Sequence, residues 1–128
     1  MSIVVDLAEL ARALSRHPTA YLLLSGDERP HVGEVEARME PGSTSVVLGH
    51  PGRTARRVLG ERPAVTLLLP PYEKDGYSLV VDGTATLVGE EVHVLPSHAV
   101  LHRRPRPDPG SDSPPSATGC AGDCHPLP

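Results

Sequence analysis

The residues best suited to chemistry lie in Gly49-His50-Pro51-Gly52-Arg53-Thr54-Ala55-Arg56-Arg57. A strand-like run ends there, a Gly/Pro turn follows, and a helix opens with free N–H groups, an arrangement that favours an anion. Arg53 and Arg57 stand at i, i+4 on one helical face, and Thr54 adds a hydroxyl. The three make a candidate phosphate site through charge-assisted hydrogen bonds. The plain alternative is a solvated arginine face, in which Arg56, Arg57 and Arg62 pair with Glu61 and its neighbours.

A second group closes the chain: Gly119-Cys120-Ala121-Gly122-Asp123-Cys124-His125. Two thiolates and an imidazole within six residues are good soft ligands for Zn or Fe, one short of a closed tetrahedral site. The same two cysteines can instead cycle between dithiol and disulfide, or do nothing at all. Heme attachment is disfavoured, because its usual pattern has two residues between the cysteines and this one has three. His98 and His102 fall at a helical i, i+4 spacing that can also bind a metal. His17 reads as a surface residue and His93, between Val92 and Val94, as pointing to solvent.

The bulk properties narrow the partners. The chain has 128 residues, 12 Lys+Arg against 16 Asp+Glu, three Tyr, no Phe and no Trp. A net charge of −4 with so few rings lacks both the basic footprint and the stacking platform of a nucleic-acid binder. No apolar run approaches the roughly 20 residues of a membrane span. The N-terminus has no basic region before its short apolar run, so a cytoplasmic location is expected. Two cysteines cannot form a disulfide framework. Seven of the fifteen prolines follow residue 104, among serines and glycines. Such a segment cannot offset its own ordering entropy. We therefore expect a folded domain over 1–103 and a Pro/Ser-rich flexible tail over 104–128.

The elements that must position these groups read as mixed helix and strand. Asp6 and Glu9 suggest a capping box. Leu7, Leu10, Ala11 and Leu14 then form one apolar helical face, stopped by Pro18. Strands are expected at 19–24, 31–39 and 43–49, the second with Glu34, Glu36 and Arg38 on a wet face. A short helix over 52–61 and a strand over 64–69 follow. A long strand over 77–88 has Gly83 in its middle, which suggests a bulge. Another strand covers 92–95, and Ser97 is placed to cap a last helix over 98–104. The links are too short for parallel crossovers, so the sheet is mostly antiparallel. Closing it into a small barrel would hide its edges.

In this order, four pieces resemble the pyridoxamine-5′-phosphate-oxidase-like FMN-binding split-barrel family. They are Pro18–Leu24 after the first helix, Arg29-Pro30-His31-Val32-Gly33, the block Gly52–Leu67, and Val81-Asp82-Gly83-Thr84-Ala85-Thr86-Leu87-Val88. The likeness spans about residues 6–95. It implies a mostly β (α+β) fold, a small antiparallel split barrel with short flanking helices. It also implies a homodimer with cofactor sites at the subunit interface. By motif position, Arg53, Thr54 and Arg57 would hold the phosphate. His31, Val32 and Gly33, with Leu48, Gly49 and His50, would lie along the ring or ribityl path. The chain lacks the extended C-terminal region of the vitamin-B6 oxidase, so that reaction is not expected. Family members use FMN, FAD, the deazaflavin F420 or heme. The reading is a small FMN-dependent oxidoreductase acting on a small molecule; the alternative is a non-catalytic module that binds or senses a flavin, deazaflavin, heme or metal.

Overall fold

The computed structural model describes residues 1–105. The expected tail and the Cys120, Cys124 and His125 group lie almost wholly or wholly outside the described residues. The elements run β1 (Ser2–Val4), a 3-10 turn (Leu7–Glu9), α1 (Leu10–Ser15), β2 (Ala20–Leu24), β3 (His31–Arg38), β4 (Val46–Gly49), α2 (Arg53–Glu61), β5 (Ala64–Leu69), β6 (Ser78–Val88) and β7 (Glu91–His102). No helix among the described residues is long and apolar enough to cross a membrane.

All strand pairs are antiparallel, in the order β1-β7-β4-β3-β2-β5-β6, and β6 returns to β7. Six strands therefore close a ring, and β1 hangs on its outside edge. β7 makes this possible because it has two partners on one edge. Val92–Val94 pairs with β4, and Val100–His102 pairs with β1, while β6 follows the other edge throughout. Between the two halves the register slips, with Asp82 opposite His98 and Gly83 opposite Pro96, which leaves Ser97 bulged. The bulge expected near Gly83 is present, with its extra residue on the facing strand. A bulge bends and twists a strand, which is what ring closure needs.

The last helix expected over 98–104 is not formed. β7 continues through it as strand, because β6 supplies a backbone partner as far as His102 and Val92, Val94 and Ala99 all bury their side chains. The Ser97 hydroxyl donates to the Asp82 carbonyl at 3.2 Å instead of capping a helix. His98 and His102 thus sit four strand residues apart, roughly 13 Å, too far to share a metal. Among the described residues no group of three metal-ligating side chains converges. The short strand β1 was not foreseen.

The helical N-terminus behaves as its residues dictate. Asp6 Oδ1 accepts from the Ala8 N–H at 3.0 Å, while Glu9 turns to Arg12 at 3.8 Å rather than reaching back. His17 departs from the expected surface position. It is half-buried, with Nδ1 2.8 Å from the Ala13 carbonyl and Nε2 3.1 Å from the Tyr77 carbonyl, and so ties the end of α1 to the entry of β6. His93 lies on the outer side of β7, half-buried and 3.3 Å from Glu91 Oε1.

The interior is entirely aliphatic. Leu10 and Leu14 of α1 and Ala55, Val58 and Leu59 of α2 close over alternate residues of the strands, such as Leu22, Leu48, Leu67, Leu79 and Val94. No polar or charged residue among those described is buried. Any chemistry therefore belongs on the outside of the barrel, or between two copies of it.

Candidate functional site

The site is built where β4 hands the chain to α2. Gly49 ends β4, opposite Glu36 of β3. His50 then takes φ 58° and Gly52 φ 86°, both left-handed. Gly52 adopts that conformation freely. His50 does so at a cost of order 1–3 kcal/mol, the kind of strain that functional sites retain. Pro51 between them carries no N–H to satisfy. The turn aims the chain into α2, whose apolar residues Ala55, Val58 and Leu59 fix its buried face.

The start of α2 is left open. Gly52 offers no side-chain cap, and the first N–H bonded back along the helix is that of Arg56, to the Gly52 carbonyl at 3.2 Å. The amides of Arg53, Thr54 and Ala55 precede it, as the first donors of any helix do. Arg53 is exposed and has no acidic partner within 4.0 Å among the described residues. A cavity of about 580 Å³ opens beside it, lined by Gly49, His50, Gly52, Arg53, Arg56 and Glu36, with the Arg38–Glu91 pair on its wall.

Most of the other charges around the cavity have partners; Glu90, also on its wall, makes no ion pair among the described residues. Arg38 Nη2 donates to Glu91 Oε2 at 2.8 Å. That hydrogen bond, seconded by His93, holds the Glu91 carboxyl below its ordinary range. Arg56 Nη2 donates to the Gly89 carbonyl at 2.8 Å and pins α2 to the β6–β7 turn. His50 Nε2 stands 3.9 Å from Glu36 Oε1, on exposed side chains. Arg53 and the open amides are what remains for an anion.

The nine residues expected to contact a cofactor do not all meet. Gly49, His50 and Arg53 line the one cavity. Thr54 is exposed on α2 beside them. Arg57, one turn on, faces Asp27 at 3.8 Å, and Arg62 Nη2 donates to the same carboxylate at 2.7 Å. The Arg62 hydrogen bond lowers the Asp27 acid range, and Arg57 adds to it. His31, Val32 and Gly33 open β3, paired with Leu24, Leu23 and Leu22, about 10–16 Å of strand from Glu36. Leu48 is fully buried in the core and does not line the cavity. The walls supplied by Glu36, Arg38, Arg56, Glu90 and Glu91 were missed. The alternation of β3 had put Glu36 and Arg38 on a wet face, but only the register with β4 and β7 shows what that face adjoins.

No family model matches the chain. Uncharacterized proteins of Mycobacterium bovis and Mycobacterium tuberculosis are each 40% identical to it over 135 aligned positions, covering 94% of this chain and 92% of theirs. Among solved structures, the FAD binding protein from Mycobacterium smegmatis superposes with a TM-score of 0.62 at 15% identity, over 80% of this chain and 100% of its own. A putative pyridoxamine 5′-phosphate oxidase from Listeria innocua gives 0.60 at 13% identity, over 75% and 98%. An F420 reductase gives 0.50 at 14% identity, over 73% and 93%.

Proposed function

The chain belongs to one family with those mycobacterial proteins and has the split-barrel fold of the pyridoxamine-5′-phosphate-oxidase-like proteins, and on that footing we propose that it binds a phosphate-bearing flavin and serves as a small oxidoreductase. The observation that carries this reading is Arg53, an uncommitted guanidinium at the open start of α2, facing a cavity of about 580 Å³. One such guanidinium with one helix start matches a single phosphate monoester, so FMN is the preferred cofactor. FAD and F420, suggested by the structural neighbours' names, are the comparators.

The residues present fit such a group. Arg53 and the Thr54 hydroxyl would grip the phosphate beside the α2 amides, in the manner of charge-assisted hydrogen bonds. His50, projecting from a left-handed turn, would offer a hydrogen bond along the ligand. Gly49, without a side chain, leaves the wall over Glu36 open to close approach. Bound flavin would supply the hydride or electron chemistry, and the chain its anchoring and orientation. His31–Gly33 do not line this cavity, and we read them as reaching the ligand from a second copy.

That second copy has a face to use. Cα pairing places Val4, Val100, Val80, Leu68 and Tyr21 in one row across β1, β7, β6, β5 and β2. All five point away from the core, and Val4 is 70% exposed. An apolar row spanning roughly 19 Å of sheet is a natural seat for an isologous partner. We read the protein as a homodimer of the cytoplasm.

The test is an absorbance and fluorescence titration of the purified protein with FMN, FAD and F420 in parallel. Saturable FMN binding, weakened at least about tenfold in Arg53→Ala, supports the reading. No binding of any of the three would remove it. Oxidation of a reduced nicotinamide by the loaded protein then separates an enzyme from a carrier.

A further inference from the structure

A larger cavity, of about 680 Å³, lies at the opposite side of the fold from α2's open end, between the end of α1, the β5–β6 loop and the last turn of β7. Its larger apolar walls are Pro18, Pro71, Tyr72, Tyr77 and Leu101. Tyr72 is 79% exposed, the most exposed large apolar side chain among the described residues. Two charged side chains stand at its rim, Arg16 and Glu73, and neither makes an ion pair among the described residues.

The chain itself arrives at this groove. Leu101 of β7 is part of the wall. Two residues later the Arg103 guanidinium lies over the Tyr77 ring, 4.5 Å from its centre, and the Arg103 N–H donates to the Met1 carbonyl at 3.0 Å. The next residues are Arg104-Pro105-Arg106-Pro107-Asp108-Pro109. Alternate prolines fix φ and push each preceding residue toward the extended region. Such a stretch loses little further entropy on docking. Aromatic-lined grooves take proline-rich extended chain because its rings and its polyproline geometry are formed in advance.

We propose that this tyrosine-lined groove seats the chain's own segment 106–109. Four residues of polyproline helix reach about 12 Å, which suits a groove that begins at Leu101 and Tyr77. Between the prolines stand Arg106 and Asp108, opposite in sign to Glu73 and Arg16 at the rim. The C-terminal segment therefore has a fixed point on the barrel, and whatever the terminal Cys120, Cys124 and His125 do, they do on a shorter tether than the sequence suggests.

NMR relaxation of the full chain, beside full-length Tyr72→Ala and Pro107→Gly/Pro109→Gly variants, tests this. Docking gives residues 106–109 order parameters approaching the rigid value of about 0.85, and both variants drop them below about 0.6. It also gives nuclear Overhauser contacts from the Tyr72 ring to Pro107 or Pro109. If residues 106–109 are as mobile as 126–128 in the wild type, the proposal is wrong. If the Tyr72 contacts appear only between differently labelled molecules in a mixed sample, the groove takes a neighbour's segment and the intrachain seat is equally overturned.

Discussion

Arg57 faces Asp27 at 3.8 Å, and that pairing divides the arginines of α2 and its C-terminal cap. Arg57 and Arg62 brace the helix against the β2–β3 hairpin through one carboxylate. Arg53, one turn earlier, has no such partner among the described residues. Arg56 is held by the Gly89 carbonyl, so Arg53 alone of these has neither a carboxylate nor a carbonyl partner to leave among the described residues. Arg53→Ala should weaken FMN binding by 10- to 150-fold, about 1.5–3 kcal/mol for one lost charge-assisted contact. Arg57→Ala should weaken it less than about fivefold, since an exposed pair contributes at most about 1 kcal/mol. Parallel isothermal titrations decide this, and equal losses from the two variants would remove the distinction.

Leu48 gives a second separation. Motif position places it beside a cofactor, yet its side chain is fully buried against the core. Leu48→Ala should cost about 2–5 kcal/mol of stability through lost burial and the cavity left behind. The affinity of the folded fraction for FMN should stay within about threefold, because the β4 main chain would still carry Gly49 and His50. Urea unfolding and an FMN titration on the same preparation are the measurements. A large loss of affinity with unchanged stability would return Leu48 to the site.

What the sequence made legible follows from which interactions are local. The apolar spacing of Leu10 and Leu14, the Gly/Pro turn before Arg53 and the alternation of β3 each report on their neighbours a few residues away, and each was found where expected. The continuation of β7 through His98–His102 was not legible. Its cause is β6, some twenty residues earlier, and a strand partner outweighs a serine that looks like a cap. The same holds for the site. The sequence order names Arg53, but that Arg38 is taken by Glu91 and Arg57 by Asp27 depends on register and on a hairpin tip packed against α2.

The Arg38–Glu91 pair should show in the pH dependence of stability. Arg38's hydrogen bond, with help from His93, depresses the folded-state acid range of Glu91. A group depressed in the folded state stabilises above its unfolded value, and that contribution disappears as the pH falls through the folded value. Arg38→Ala should therefore lower the urea midpoint near neutral pH. The gap from wild type should close as pH drops below the ordinary glutamate range, about 4.3. Midpoints measured from about pH 7 to about pH 3 test the sign. A gap that widens on acidification contradicts it.

Gly83 occupies the point where β6 and β7 change register. A β-carbon there would stand 2.5 Å from the Leu95 carbonyl oxygen and 2.8 Å from Val94 Cγ1. The obstacle includes main chain, which cannot rotate aside as a side-chain end can. Gly83→Ala should destabilise by about 1–3 kcal/mol, the usual cost of overpacking. Gly60→Ala is the control. A β-carbon there meets nothing within 4 Å, and the residue lies inside α2, where alanine is favoured over glycine by up to about 1 kcal/mol. Opposite shifts in thermal midpoint are expected, and a neutral Gly83→Ala would mean the bulge can relocate.

The outer row makes the last prediction. Val4, Val100, Val80, Leu68 and Tyr21 are direct neighbours from strand to strand, so one charge in the middle spoils the whole strip. Val80 is the middle of the five, half-buried in the single chain. A partner pressed on the row would bury it fully, and an aspartate there would bring its charge to the two-fold contact, where its copy repels it. Val80→Asp should convert a dimer at micromolar concentration into a monomer. Thr86→Asp puts the same charge on β6 with the same outward direction but six residues away, where the side chain is exposed and the row has ended. It should leave the dimer intact, which separates loss of the interface from a general effect of charge on the strand. If His31–Gly33 of a second copy complete the Arg53 cavity, as proposed, monomeric Val80→Asp should also lose FMN affinity, although the residue touches neither group. Sedimentation velocity with and without FMN reads both effects. A wild-type monomer, or a Val80→Asp monomer that binds FMN as tightly as wild type, would break the link between the apolar row and the cofactor.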